Sequence, residues 1–403
     1  MNNVILLFVV FSGFLIFGLS ENVKGPAIPI MQSEFHLNES QLGLLLALNS
    51  LGYLLACTFT SVLANKIGIK STGILAFSSM ILAGILISLV KSYPTLTASY
   101  FFLYIGNGIL EIALGIMAAR IFTKNTGTMM NLSHFFYGLS SIGAPILGAS
   151  IMGWHVFGGE LGWRGMYLII LSLAILPIIP SLFGRFPEEL PSDGESASFS
   201  GLFRDPAAWL IVAVLSFGVI SELAVGSWLV YYLQHAYGWS LKRASEMLSL
   251  FFLFFTLSRL FAGPITDKIG YPLSTMLFSA FSGICSLAAV FIGEIGAILF
   301  AIAGIGIAPI YPTVMALLAK RYRKGVGTAI TFTVTLMGMA SVIGNLLIGV
   351  IIDYVKQLYG NHHGGELVGL QAGYVFIAGM ALLCSLCSMF LYKRLRIQSN
   401  TAV

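Results

Sequence analysis

The sequence predicts an all-α membrane protein in which twelve transmembrane helices form two pseudo-symmetric six-helix bundles. Three observations lead to this fold class. Of the 403 residues, 57% are hydrophobic and only 9% are charged, whereas a soluble domain carries about 25% charged residues. Twelve apolar runs are long enough to cross a bilayer. Short motifs of the first half also recur roughly 200 residues later, which indicates an internal duplication.

Each predicted helix is an apolar run of the length that a bilayer requires. A hydrocarbon core about 30 Å thick is crossed by about 20 apolar residues of helix. The runs that meet this length are 4–31, 41–64, 72–91, 95–119, 127–152, 165–184, 207–234, 242–263, 273–292, 295–318, 326–353 and 370–393. The first run lacks a basic leader and a small-residue cleavage site, so we expect a permanent helix rather than a signal peptide.

The longest polar break predicts the domain organisation. Residues 185–206, which are rich in proline, serine and charge, predict a flexible linker between an N-terminal bundle, 1–184, and a C-terminal bundle, 207–403. Fifteen lysines and arginines fall on the side that holds both termini and five on the other, which predicts cytoplasmic termini. Because these charges are scattered at helix ends, the net charge of +5 gives no indication of nucleic-acid binding.

Three carboxylates inside the apolar runs are the strongest indication of function. They are Glu21, Glu111 and Glu222. An ionised group at the centre of a bilayer costs about 2.5–3.5 kcal/mol or more, and it is tolerated when protonated, paired or turned towards a wet cavity. We therefore expect these acids to carry protons, with Glu111 as the principal carrier and Glu21 or Glu222 as the second acid.

Polar and aromatic residues close to these acids are candidate substrate contacts. They are Asn22, Lys24, Asn107, His134, Tyr137, Trp228, Tyr232 and Asn345. Each also has a structural explanation. Lys24 could simply neutralise Glu21, which lies three residues earlier on the same helix face. A membrane histidine can be a satisfied core residue, an aromatic side chain can belong to the interfacial belt, and an asparagine can join two helices.

The repeated loop motif resembles the signature of the major facilitator superfamily. The second-half copy comprises Arg259, Gly263, Asp267, Lys268 and Gly270 at the spacing of that signature. The first-half copy carries Ser61, Asn65, Lys66 and Gly68, so serine replaces the glycine and asparagine replaces the aspartate. The resemblance implies twelve helices and a gating loop in each half, with a weaker charge contact in the first.

A narrower resemblance is to the fucose permease-like proton symporters of that superfamily. Its residues are Gly108-Ile-Leu-Glu111 in the fourth run and Asn131-Leu-Ser-His134 in the fifth. The resemblance implies that Glu111 is the essential glutamate and that His134 stands where a glutamine usually contacts sugar. The first run departs from the family, because its acid is Glu21, one turn before the position of the expected aspartate near Gly25.

These features favour a proton-coupled secondary transporter of a small polar organic solute, such as a sugar, that works by rocker-switch alternating access. No nucleophile elbow, zinc-protease motif or phosphate-binding loop is present in the sequence, so we expect no enzyme, cofactor or metal, with the proton as coupling ion. The alternative is a proton-antiport exporter of drugs or lipid-like amphiphiles. A more remote alternative is a membrane sensor that transports nothing. We expect a bacterial, multi-pass, monomeric protein of the cell membrane whose partners are the lipid bilayer and a small-molecule substrate.

Overall fold

The structure, a computed structural model, describes residues 2–37, 39–156, 159–187, 198–360 and 364–401. Helices dominate this part of the chain, with one short antiparallel hairpin and one 3-10 turn at Glu294–Ala297. The elements are α1 (Asn2–Asn22), α2 (Lys24–Glu34), α3 (Glu39–Ile67), α4 (Ile69–Ser88), α5 (Tyr93–Ile121), α6 (Thr126–Met152), β1 (His155–Val156), β2 (Gly159–Glu160), α7 (Gly162–Ser172), α8 (Ile175–Phe183), α9 (Phe199–Arg204), α10 (Pro206–Tyr237), α11 (Leu241–Ile269), α12 (Tyr271–Ile292), α13 (Ile298–Ile307), α14 (Ile310–Arg321), α15 (Val326–Tyr359) and α16 (Gly365–Thr401).

Every predicted span coincides with one helix or with two consecutive helices. Ten helical stretches of the described chain are long and apolar enough to cross a membrane. The second and fifth predicted spans fall on α3 and α6, which contain 29 and 27 residues. At 1.5 Å per residue a helix of that length is about 40 Å long and exceeds the hydrocarbon thickness. The chain is therefore a multi-pass membrane protein, and the predicted all-α class is confirmed.

The chain divides into two compact units. The first comprises Met1–Thr123, Leu132–Ala197 and Tyr322–Thr331, and the second comprises the remainder. The start of α6 thus clusters with the second unit, and the start of α15 clusters with the first. The sequence places these two short segments in the opposite halves, and the predicted domain boundaries at 184 and 207 stay predictions.

The first unit is organised around α5. This helix packs against α1, α3 and α4, and α4 also contacts α7 and α8. Most of α5 is buried, including the stretch from Gly106 to Ala118 except Glu111. Glycines allow the close packing, since a Cβ atom at Gly106 would lie 2.5 Å from the Ser79 hydroxyl oxygen on α4. Polar residues on α5 are consequently placed at the centre of the unit.

The second unit is organised around α16. This helix packs against α10 and α12, while α13 packs against α11 and α12. A Cβ atom at Gly283 would lie 2.7 Å from a side-chain methyl of Leu382, so glycine is needed where α12 crosses α16. The two long helices that carry most of the predicted site residues of this half, α10 and α11, also contact each other.

The first predicted span is interrupted beside its prolines. The sequence predicts a bend at Pro26 and Pro29, and the helix breaks at Val23, between α1 and α2. The break follows Asn22, whose carbonyl lies four residues before Pro26 and would receive its hydrogen bond from the amide that this proline lacks. The break separates Glu21 and Lys24 into two helices while keeping them neighbours.

Part of the predicted linker is helical. Residues 188–197 lie outside the described residues, but Ser198 caps the short helix α9, since its hydroxyl oxygen accepts a hydrogen bond from the Gly201 amide. Asp205 then caps α10 by accepting from the Ala207 amide at 2.8 Å, and it pairs with Arg321 at 3.2 Å. The prediction of a flexible linker is thus wrong for residues 198–206, because a serine and an aspartate are both favoured N-caps.

A carboxylate at the end of α2 joins that helix to α7. Glu34 accepts hydrogen bonds from Arg164 Nη2 at 2.6 Å and Nη1 at 3.0 Å, and from the Trp163 ring nitrogen at 2.7 Å. The Arg164 guanidinium lies 4.3 Å from the Trp163 ring centre. These hydrogen bonds, Arg164 first, hold the pKa of Glu34 below its ordinary value of 4.5.

The Glu34 pair predicts an acid-dependent part of the stability. Because its pKa is lowered by folding, its stabilising contribution is complete above pH 4.5 and is lost as the pH falls through the folded-state pKa. We expect Glu34→Gln to flatten the decline of thermal stability below that pH, by at most about 1 kcal/mol for a half-exposed pair. Arg164→Gln should flatten it in part, because the Trp163 hydrogen bond to Glu34 remains, and acid-unfolding curves parallel to the wild type would contradict this assignment.

Candidate functional site

An ion pair lies where α1 gives way to α2, inside the first unit. Lys24 Nζ lies 3.4 Å from Glu21 Oε2. The same ammonium group donates a 2.8 Å hydrogen bond to the Tyr104 hydroxyl on α5. The Glu21 and Lys24 side chains keep 18% and 34% of their exposure. Both charges are therefore held in place by neighbouring helices while remaining partly accessible.

Asn107 fixes the position of the Glu21 carboxylate. The Asn107 side chain is fully buried; its Nδ2 donates to Glu21 Oε1 at 2.8 Å, and its Oδ1 accepts from the Ser20 hydroxyl at 2.9 Å. Asn22 makes a second link, since its Nδ2 donates to the Gly18 carbonyl and to the Ser141 hydroxyl at 3.0 Å. A polar network inside a membrane protein thus joins α1, α5 and α6, as expected where buried polar groups must find partners.

Glu111 lies one turn further along α5, on the same face as Asn107. Its Oε2 accepts a hydrogen bond from the Tyr53 hydroxyl on α3. A close helix contact brings these groups together, because a Cβ atom at Gly108 would lie 2.6 Å from the Tyr53 carbonyl oxygen. One face of α5 therefore holds Glu111 and, through Asn107, also holds Glu21.

Glu222 has an arginine partner in the second unit. Arg259 Nη2 lies 3.9 Å from Glu222 Oε1, and the arginine side chain is only 3% exposed. Its Nε donates to the Ala308 carbonyl at 3.1 Å, and its guanidinium lies 4.2 Å from the Phe255 ring centre. Pro312, four residues after Ala308, has no amide hydrogen for that carbonyl. Arg259 thus compensates both an acid and a carbonyl freed by a proline.

Asp267 binds the beginning of α6 within the second unit. Its carboxylate accepts hydrogen bonds of 2.8 Å from the Gly127 amide, from the Thr128 amide and hydroxyl, and from the Tyr271 hydroxyl. The first amides of a helix have no intrahelical acceptor and carry partial positive charge, so a carboxylate is stabilised there. A Cβ atom at Gly263 would lie 2.5 Å from the Thr128 Cα atom, which requires glycine at this contact.

The two copies of the loop motif differ in what surrounds the position held by Asp267 in the second copy and by Asn65 in the first. Gly68 and Gly270 have φ angles of 84° and 92°, so both turns require glycine. Lys66 and Lys268 are exposed in both copies, and Ser61 is buried. Asn65, the counterpart of Asp267, lines a cavity at the ends of α3, α5 and α8. Arg259, predicted as part of the second gating motif, pairs with Glu222, and its gating role stays a prediction.

The remaining candidates lie in varied surroundings. His134 is 8% exposed and its ring centre lies 4.7 Å from that of Phe14, while the Tyr137 ring centre lies 5.2 Å from that of Phe17. Trp228 is half-buried. Asn345 lies in α15, but its side chain is outside the described residues.

Tyr232 is completely buried in an aromatic cluster. Its ring centre lies 4.4 Å from that of Tyr374 and 5.5 Å from that of Phe300, and its hydroxyl lies 3.2 Å from the Tyr237 hydroxyl. Its side chain has no exposed surface and packs against these rings, and its predicted contact with substrate stays a prediction. A tyrosine in an apolar run is compatible with either role, so the sequence did not distinguish them.

Two tyrosines of the site were missed by sequence reasoning. Tyr53 and Tyr104 contact Glu111 and Lys24, respectively. The available signal was a phenol inside an apolar run, because a buried hydroxyl usually finds a hydrogen-bond partner. Within the described residues, no group of three or more histidine, cysteine, aspartate or glutamate side chains could hold a metal ion.

Comparison with known proteins decides the family. The family model described as Major Facilitator Superfamily matches residues 10–296 and 224–402. The chain belongs to the major facilitator superfamily. The predicted family and fold are confirmed, and the superfamily consists of transporters rather than enzymes.

The chain is similar to a solved symporter structure and, over part of its length, to curated transporters. The structure of the E. coli fucose:proton symporter superposes with a TM-score of 0.81 at 17% identity, covering 97% of this chain and 99% of that one. An uncharacterized MFS-type transporter of Yersinia pestis is 29% identical over 64% of this chain and 65% of its own length. A multidrug transporter of Candida glabrata is 28% identical over 34% of this chain and 25% of its own. The chain spans less than two thirds of the length of the first curated relatives.

Proposed function

We propose that this superfamily member is a proton-coupled secondary transporter of a small polar organic solute, a sugar or a related compound. The observation that carries the proposal is the face of α5 on which Asn107 binds Glu21 and Glu111 accepts from Tyr53. Ionisable groups inside membrane-spanning helices are costly and are retained where protons or polar solutes move. The resemblance to a fucose:proton symporter structure supports this choice of solute and coupling ion.

The contacts suggest a division of roles among these residues. Glu111 carries the proton, because the Tyr53 phenol beside it can donate to a carboxylate or accept from a carboxylic acid. Glu21 is already paired with a cation and an amide, so it responds to a solute that competes for Lys24 or Asn107. Glu222, paired with Arg259, is the acid with the more structural role.

The second loop holds the beginning of α6. Asp267 holds the first amides of α6 through charge-assisted hydrogen bonds. We propose that this contact latches one state of the rocker-switch cycle, and that Asn65 gives a weaker latch in the first copy. We further propose a bacterial cell membrane, cytoplasmic termini and a monomer without cofactor or metal.

Export of drugs or lipid-like amphiphiles by proton antiport is the second candidate. It is favoured by the resemblance of one third of the chain to a multidrug transporter. The motif Gly138-x-x-x-x-Gly143-Ala-Pro145-x-x-Gly148 on α6 resembles a glycine-proline motif of antiporters. The aromatic side chains that would suit a sugar would equally suit an amphiphile.

A gradient-direction experiment distinguishes the two functions. The solute class is first chosen by a thermal-shift screen of sugars, nucleosides, drugs and lipids, because a ligand stabilises the state it binds. The selected compound is then followed in proteoliposomes under inward and outward proton gradients. Symport predicts accumulation on the side to which protons flow, and antiport predicts accumulation on the opposite side. Movement that is equal under both gradients would refute proton coupling.

A further inference from the structure

A basic cavity of about 840 Å³ lies in the first unit, away from the acids described above. It is formed at one end of four helices, where α3 and α5 end, α4 begins and α8 ends. Its charged lining is Lys70, Arg120 and Arg185, and none of the described lining residues is acidic. This volume is within the range of small-molecule sites, and the concentration of positive charge selects for an anion.

The walls of this cavity are fixed by hydrogen bonds. Lys70 Nζ donates to the carbonyl oxygens of Leu182 at 2.7 Å and Gly184 at 3.2 Å, which ties α4 to the end of α8. Asn2 receives a hydrogen bond from the Arg185 amide at 2.9 Å and donates one to its carbonyl at 3.0 Å. The arginine backbone is therefore anchored, while its side chain is exposed. The three basic residues therefore line a recess whose walls are held together by hydrogen bonds.

The beginning of α4 adds donors to the same recess. Ile69, Lys70 and Ser71, the first residues of this 20-residue helix, line the cavity, and the N-cap Gly68 offers no side-chain cap. The first amides of a helix lack intrahelical acceptors and carry partial positive charge. In the second copy of the motif, a carboxylate, Asp267, occupies the amides of another helix beginning.

Asn65 adds no negative charge to this basic cavity. The second copy has an acid at this position, whereas the first copy has a neutral amide that lines the recess. An aspartate there would offset one of the three cations and repel an incoming anion. The neutral amide, which we expect to form a weaker gating contact than an aspartate, thus leaves the recess suited to an anion.

We propose that this cavity binds a phosphate-bearing anion, held by Lys70, Arg120, Arg185 and the beginning of α4. Because the cavity lies at the ends of membrane-crossing helices, the headgroup of an anionic phospholipid is one source of that anion. Free phosphate is the other. Each basic residue near a membrane surface contributes about 1 kcal/mol of attraction to anionic lipid, which corresponds to about fivefold in affinity.

Titration of the purified full-length protein tests this site. Short-chain phosphatidylglycerol, short-chain phosphatidylcholine and inorganic phosphate are added separately, and binding is followed by thermal shift and native mass spectrometry. We expect phosphatidylglycerol or phosphate to bind, and Arg185→Gln to weaken that binding about fivefold. Asn65→Asp, which adds the opposing charge without removing a cation, should weaken it by at least as much.

Lys66→Gln is the matched control, because Lys66 is exposed in the same loop and does not line the cavity. Binding of phosphatidylglycerol that phosphate does not displace assigns the site to lipid, and displacement by phosphate assigns it to the soluble anion. Equal binding by the wild type, Arg185→Gln and Asn65→Asp would overturn the proposal. An equal loss in Lys66→Gln would also overturn it, since diffuse surface charge would then suffice. Thermal unfolding without ligand verifies that each variant is folded.

Discussion

Glu111→Gln is expected to abolish accumulation of solute driven by a proton gradient. Glutamine preserves the size of the side chain and can still accept from the Tyr53 hydroxyl, but it cannot bind and release a proton. Exchange of solute across the membrane needs no net proton movement, so it should persist in part. The measurement is solute uptake into proteoliposomes with and without an imposed pH gradient, compared with counterflow.

Two further variants make the Glu111 experiment specific. Glu34→Gln makes the same chemical change outside the candidate membrane spans and should leave gradient-driven uptake unchanged. Tyr53→Phe retains the acid but removes its phenol partner, so uptake should persist with an altered dependence on pH. Gradient-driven uptake by Glu111→Gln equal to that of the wild type would remove Glu111 from the proton pathway.

The spans and their local contacts were predictable from the sequence because they depend only on residues that are close together in the chain. Length and hydropathy locate a membrane helix without reference to the helices that pack against it. The Glu21–Lys24 contact likewise follows from three-residue spacing on a helix. The N-caps of α9 and α10 were equally local signals, but the composition of the linker was interpreted as flexible instead.

The partners of the acids were not predictable, because they depend on the rotation of each helix about its axis. In a soluble helix an apolar stripe marks the buried face. In a bilayer both lipid and protein interior are apolar, so no such stripe reveals that Tyr53 faces Glu111 or that Asn107 faces Glu21. The loop motif led us to group Arg259 with Asp267, whereas its partner Glu222 lies on another helix.

Arg259→Met is expected to produce the largest loss of stability among single substitutions in the second unit. The change leaves Glu222 without its cation and the Ala308 carbonyl without its donor. Removing one member of a buried ion pair costs about 3–5 kcal/mol, because the remaining charge is uncompensated. Thermal and denaturant unfolding in detergent would measure the loss. Arg243→Met is the matched control, since Arg243 is 59% exposed in its pair with Glu294 and should cost at most about 1 kcal/mol.

The double variant Glu222→Gln/Arg259→Met separates charge from packing. If the uncompensated carboxylate causes the loss, removing it should restore most of the stability that Arg259→Met forfeits. A loss of about 1–3 kcal/mol in the free energy of unfolding should remain, since the Ala308 carbonyl still lacks a donor. A double variant no more stable than Arg259→Met would refute the pair and assign the loss to the stacking of Arg259 on Phe255. Restored stability with intact gradient-driven uptake would establish Glu222 as a structural acid and leave Glu111 as the proton carrier.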